Sequence, residues 1–324
     1  MYWNEHERLR AKAATLYYME GKSQREIAEK LQLSTSKVFR LIAEARSMGI
    51  VQINIIQPIM SCNSLETEFE RRFNLREAII INAQDDDNIL QILGQAGADY
   101  LKRIVTPDDI IGISWGHTLF ELVNQLQPFG IEGTKVVQLV GGLNNGAENL
   151  EAAELARRLS MVFNSSPVLL HCPAVVTNPE VKKGLLEDKN IKEILELGAK
   201  TTIALVGIGT ISPDSILFKK GHLSSQWRAE LIRRGAVGDV CMRFFMEDGS
   251  PCSSGLDDLI MGISLNSLKK VHSVICIAGG THKAHAILGA LKGNIPDVLV
   301  TDKATAEKII ELDEGGENEN KRVI

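Results

Sequence analysis

From residue 77 onward the chain repeats one pattern: a short apolar run, a glycine-rich turn, then a segment with apolar residues at helical spacing. Runs this short and this uniformly apolar read as strands buried on both faces. Strands that alternate with helices assemble into a parallel sheet covered by crossover helices. The pattern predicts strands over 78–81, 110–114, 135–140, 167–171, 202–206, 237–245, 271–278 and 297–300. Helices are expected near 86–104, 117–127, 147–163, 188–198, 225–234, 282–292 and 303–312. After the 237–245 run, Glu247-Asp248-Gly249-Ser250 is a turn signal able to fold a hairpin onto the sheet edge. The expected body is therefore a large α/β domain with a mostly parallel, doubly wound sheet, followed by a polar tail over 314–322 that should fray.

In such a sheet the turns that follow the strands share the carboxyl edge, where ligands bind. Four of them carry glycines: Gly112-Ile113-Ser114-Trp115-Gly116, Gly141-Gly142-Leu143-Asn144, Gly207-Ile208-Gly209-Thr210 and Gly279-Gly280-Thr281-His282-Lys283. Glycine lets backbone amides approach a ligand, and the helix that follows turns its positive end toward any anion there. The last turn, with Lys283 expected in the first turn of the next helix, reads as a phosphate cradle or, more simply, as a tight turn beside a solvated lysine. It is neither a Walker loop nor a G-x-G-x-x-G fingerprint, which disfavours nucleotide chemistry.

Asp239 lies within an apolar run, and a buried carboxylate needs partners. It could accept from sugar hydroxyls, cap a neighbouring helix or pair with Arg243. Ser114 could contact a hydroxyl or phosphate, Trp115 could form a wall, and His117 could be helix surface.

The amino-terminal 57 residues differ in kind. Over residues 23–45, Ser23 with Glu26 forms a capping box, Ile27, Ala28 and Leu31 share one helix face, Gln32-Leu33 makes a turn, and Ser34 caps a second helix bearing Val38, Leu41 and Ile42. This reads as a helix-turn-helix. The exposed start of its second helix carries Ser34, Thr35, Ser36, Lys37 and Arg40, hydroxyls and cations suited to base edges and phosphates in a major groove. Leu9, Ala13, Leu16 and Tyr17 supply a supporting helix. Gly49 ends a helix, and residues 50–55 alternate like a strand, as in a winged helix. Leu65, Phe69 and Phe73 then mark a short helix that reads as a connector.

Charge follows the same division. The net charge of −5 splits into +3 over residues 1–57 and −8 beyond, one DNA-facing domain on an acidic body. So mild a positive charge implies that subunits pair on DNA. The domain boundary is expected near residue 58, giving 1–57 for DNA binding and 58–324 for effector binding and oligomerisation. No apolar run approaches the roughly 20 residues of a membrane span, and the first residues lack the order of a secretory signal, so a cytoplasmic protein is expected. The five cysteines are widely spaced without a C-x-x-C pair and should be buried thiols.

The run LYYMEGKSQREIAEKLQLSTSKVFRLIAEARSMGIVQI, followed in order by GISWG, LVGGLN, VGIGTIS, GAVGDV and IAGGTHKAHAI, resembles the SorC family of bacterial transcription regulators, also called the SorC/DeoR type. The resemblance spans nearly the whole chain. It implies a sugar-binding domain related in fold to ribose-phosphate isomerases and glucosamine-phosphate deaminases. That domain would bind a phosphorylated sugar without turning it over, with no cofactor or metal, in a regulator that is usually tetrameric. Carried over residue by residue, the phosphate segment matches Gly279, Gly280, Thr281 and Lys283, and the sugar-side acid matches Asp239. Ser114, Trp115 and Gly116 match the first ligand turn, and Gly141, Gly142 and Asn144 the second. Members that hold an aldehyde sugar on a lysine carry it before the second turn, where this chain has Leu139-Val140. The rival expectation is a sugar-phosphate isomerase or deaminase with a DNA-binding appendage, using Asp239 or His117 as its base.

Overall fold

The structure, a computed structural model, describes residues 5–52, 62–83, 88–128, 130–143 and 151–321. The chain separates into two compact units, Met1–Pro58 and Ile59–Ile324.

The regular elements of the first unit's described residues are helices: α1 (Glu5–Ala14), prolonged by a π-turn over Thr15–Met19, α2 (Gln24–Leu31) and α3 (Thr35–Ser47). The Ser23 hydroxyl accepts from the Glu26 amide while the Glu26 carboxylate accepts from the Ser23 amide at 2.8 Å, so both halves of the capping box are made. Gln32 closes α2 in the left-handed region, φ 54°, and Ser34 caps α3 by accepting the Lys37 amide. Ala13, Leu16, Ile27, Ala28, Val38, Leu41 and Ile42 form one small core. Arg10 ties α1 to α3 by donating to Glu44 at 2.6 Å. Of the strand expected over 50–55, residues 50–52 are not in a strand and the rest lies outside the described residues.

The second unit opens with α4 (Asn63–Phe73) and β1 (Glu77–Ile81), and continues through α5 (Ile89–Ile104), β2 (Ile110–Ile113), α6 (His117–Asn124), β3 (Lys135–Gln138), α7 (Ala152–Val162) and β4 (Pro167–Val168). Next come α8 (Pro179–Glu187), α9 (Lys189–Ala199), β5 (Ile203–Val206), β6 (Gly209–Thr210), α10 (Ile216–Lys219), α11 (Ser225–Arg233), β7 (Ala236–Val240) and β8 (Arg243–Met246). The chain ends with α12 (Leu265–Leu268), β9 (Ser273–Ile277), α13 (Ala284–Lys292), β10 (Val298–Asp302) and α14 (Lys303–Lys321). Seven strands form one parallel sheet in the order β1-β10-β9-β5-β2-β3-β4. Its two faces are buried separately. On β5 and β9, Ala204, Val206, Val274 and Cys276 meet one core, with Ile287 and Leu288 of α13. Ile203, Leu205, Ile275 and Ile277 meet the other, with Leu93, Leu119 and Leu155 of α5, α6 and α7.

Three expectations need correction. The tail expected to fray over 314–322 is helical as far as Lys321, within α14. The run 237–245 is not one strand: it reverses at Cys241-Met242, whose φ values of 54° and 62° make a two-residue turn of the kind usually built from Asn and Gly. The resulting hairpin pairs with β6 in a separate three-stranded antiparallel sheet rather than on the edge of the main one. The helix read as a connector is also part of the body. Phe69 and Phe73 enter the main core, while Glu70 and Glu66 accept the outer amides of Ala78 and Ile80 at 3.1 and 2.9 Å, blocking the open edge of β1.

Candidate functional site

On α3, Thr35, Ser36, Lys37 and Arg40 are all exposed, as is the capping Ser34, so the face expected to meet DNA is open to solvent. Arg40 lies 3.7 Å from Glu44, a loose and exposed pair that leaves its guanidinium available to phosphate.

In the second unit the chain runs from β2 outward to β3 and β4, then returns to β5 on the opposite side of β2 and continues to β9 and β10. A crevice must open at the carboxyl ends of β2 and β5 where the winding reverses. A cavity of about 400 Å³ lies there, lined by the turns after β2, β5 and β9 and by the β7–β8 hairpin. Ser114, Trp115, Gly116, Asp239, Gly279, Gly280 and Lys283 line it together.

Gly141, Gly142 and Thr281 are not part of the lining, and Asn144 lies outside the described residues. The Gly141-Gly142 turn is instead laced to its neighbours: Gly141 donates to Met261, Gly142 donates to Cys172, and the Gly142 carbonyl accepts from Ala174. A Cβ on Gly141 would come within 2.6 Å of the Pro173 carbonyl oxygen, which accounts for the glycine there without a ligand. Arg243 braces the same region, donating to the carbonyls of Ile263 and Gly262 at 2.9 and 3.0 Å and to the Asp257 carboxylate at 2.9 Å. It does not pair with Asp239.

Asp239 is buried, and its Oδ2 accepts the Met242 amide at 3.0 Å across the hairpin turn. Burial pushes its carboxyl up to about 6, against the pull of that amide and of Lys283. Burial in turn draws the Lys283 ammonium below its ordinary range, and the Asp239 charge opposes this. The two feel each other without forming an ion pair, and both line the cavity. Cys241 shares this wall. Its thiol is pushed up to about 12, chiefly by burial and then by Asp239, and hydrogen bonds with Ser114, so it is an inert part of the lining.

The opposite part of the lining was only partly visible in the sequence. Residues 114–119 line the cavity without a break, which brings the first turn of α6 to it. Its N-cap, Gly116, has φ 135° and no side chain to satisfy the leading amides. Thr118 is 5% exposed and lines the cavity. Apolar walls come from Ile89, Ile208, Ile216 and Ile277. Lys283 itself ends a short 3-10 turn over Thr281–Lys283 ahead of α13, rather than lying inside that helix.

Residues 57–311 match the family model described as "Putative sugar-binding domain". The deoxyribonucleoside regulator of Bacillus subtilis (strain 168) is 35% identical over 308 residues, covering 94% of this chain and 98% of that protein. The sorbitol operon regulator of Klebsiella pneumoniae is 30% identical over 94% of this chain and 98% of its own length. The crystal structure of full-length SorC from Klebsiella pneumoniae superposes with a TM-score of 0.72 at 29% identity, over 94% of this chain and 99% of that one. The chain belongs to the SorC/DeoR-type family of DNA-binding transcriptional regulators, and is a regulator rather than a sugar-phosphate isomerase or deaminase.

Proposed function

We propose that this regulator controls a carbohydrate-use operon, holding operator half-sites through Thr35, Ser36, Lys37 and Arg40 of two or four subunits. Its grip on DNA changes when a phosphorylated sugar enters the cavity at the β2/β5 crevice. The observation that carries this reading is the placement of a few polar groups in a cavity with apolar walls. The uncapped start of α6, with Thr118 in its first turn, offers donors to a phosphate. The unpaired Asp239 and Lys283 offer an acceptor and a donor to a hydroxyl or carbonyl. The sequence expectation that phosphate sits over Gly279–Lys283 is revised accordingly, because the Gly280 amide is already bonded to Asp302 at 2.8 Å.

An effector signals only through different affinities for the two DNA-binding states; a coupling of about 1–3 kcal/mol would change operator occupancy some five- to 150-fold. The test is a mobility-shift titration of the chain on its own upstream region, at fixed salt, with a panel of sugar monophosphates. At least one should move the midpoint by fivefold or more. If none does while DNA binding is intact, the sensor role is wrong.

A further inference from the structure

The turn between β9 and α13 already holds an anion, and the anion belongs to the chain. Asp302 ends β10, only 3% exposed. Its Oδ2 accepts the Gly280 amide at 2.8 Å and the Thr305 hydroxyl at 2.5 Å, and its Oδ1 accepts the Thr305 amide at 2.9 Å. The contact is close enough to exclude any side chain at Gly279, where a Cβ would come within 2.5 Å of Oδ2. Amides of a glycine turn after a parallel strand are where a bound phosphate oxygen would otherwise be received. Here that position is filled.

The charges around it point the same way. Asp239 is a carboxylate of the lining itself, and the exposed Asp214 also borders the cavity. Lys283 is the only lysine or arginine among the described lining residues, and it already feels the charge of Asp239. His282 is held toward its neutral form by burial and by Lys283. A second phosphate would meet fixed negative charge with no further lysine or arginine among the described lining residues, and like charges brought together in a desolvated site repel strongly.

We propose that Asp302 is a specificity-determining positioning residue: by occupying the anion position at Gly280 it restricts the cavity to sugars with a single phosphate, directed toward α6, and rejects bisphosphorylated sugars. This rests on the phosphosugar reading above and narrows it to a substrate class. Asp302 acts through the Gly279-Gly280 turn and through its charge, without touching the ligand.

The experiment is calorimetric titration of the full chain, at one pH and salt, with matched pairs of probes: ribose 5-phosphate against ribose 1,5-bisphosphate, and glucose 6-phosphate against glucose 1,6-bisphosphate. The bisphosphate is expected to bind about tenfold or more weakly than its partner, the scale of one unfavourable charge contact. Asp302→Asn keeps an acceptor for the Gly280 amide while removing the charge. It should shrink the ratio to about threefold or less with monophosphate affinity little changed, a selective effect that a merely structural role would not produce. A bisphosphate that binds wild-type protein as tightly as its monophosphate overturns the inference and leaves the phosphosugar reading standing. An unchanged ratio in folded Asp302→Asn also overturns it. If the variant does not fold, the wild-type ratio still decides whether the second phosphate is rejected. Binding of no member of either pair rejects the phosphosugar reading for these sugars and this refinement with it.

Discussion

Asp239 and Lys283 line the same cavity, feel each other's charge, and form no ion pair. A buried carboxylate left in this way is costly when ionised, and the cost has a definite pH dependence. An unfolded aspartate titrates near 3.8 and the folded Asp239 near 6, so the folded state binds the proton more tightly. Stability of the ligand-free protein is therefore greatest below the unfolded pKa and falls as pH rises from about 4 to 6, by an amount on the order of 3 kcal/mol if Asp239 acted alone. Asp239→Asn, which can still accept the Met242 amide, should remove that part of the slope and raise the melting temperature at pH 7. Urea titrations at pH 4.5 and 7 on both proteins check this, and identical pH slopes would show that Asp239 is not the group responsible.

Thr118→Val keeps the shape of the side chain and removes a hydroxyl of the cavity lining. Loss of one hydrogen bond to a charged phosphate is worth about 1.5–3 kcal/mol. Effector affinity should fall some tenfold to 100-fold, with thermal stability of the ligand-free protein little changed. Lys283→Met should also weaken binding, but equally for a sugar phosphate and its non-phosphorylated analogue if Lys283 contacts the sugar rather than the phosphate. A larger loss for the phosphorylated ligand would return the phosphate to the Gly279–Lys283 turn.

How far the sequence could be read depended on whether a feature was local. The capping box of Ser23 and Glu26, the cap at Ser34 and the alternation of strands with helices each involve residues close in the chain, and all are present. The Cys241-Met242 reversal was missed because neither residue carries a turn signal. Its left-handed geometry is imposed by the β7–β8 register and supported by Asp239. The same limit applies to the ligand turns. Gly141-Gly142 and Gly279-Gly280 look alike as sequence, but the first is packed against residues 172–174 and 261–263, whereas the second borders the cavity with its amide taken by a residue 22 positions away. Thr118 is not legible in the sequence, because nothing before the fold distinguishes a helix-start threonine on a cavity from one in solvent.

The exposed face of α3 makes separable predictions. Lys37→Ala and Arg40→Ala should each weaken operator binding across all sequences and lower the slope of log K against log salt by about 0.9, the signature of a lost phosphate contact. Thr35→Ala and Ser36→Ala should change preference among operator variants with little change in that slope. Ser34→Ala removes the hydroxyl that accepts the Lys37 amide and should cost about 1 kcal/mol of stability. Fluorescence anisotropy at several salt concentrations separates the three effects, and an unaltered slope for both cation variants would place the DNA elsewhere.

Gly209 is the residue on which the Asp239 wall depends most directly. It pairs with Asp239 across β6 and β7, and a methyl group there would overlap the Asp239 carboxylate. Because Asp239 is fixed by the Met242 amide and by the tight turn beyond it, it cannot withdraw without breaking the hairpin. Gly209→Ala should therefore cost about 1–3 kcal/mol, the range for overpacking a filled site, and abolish the effector response. Operator affinity without effector should persist, since the recognition helix belongs to the other unit. Combining Gly209→Ala with Asp239→Gly removes the overlapping carboxylate, and the double variant should regain stability but not effector binding. If thermal denaturation shows no recovery in the double variant, the clash at Asp239 is not what makes glycine necessary at position 209.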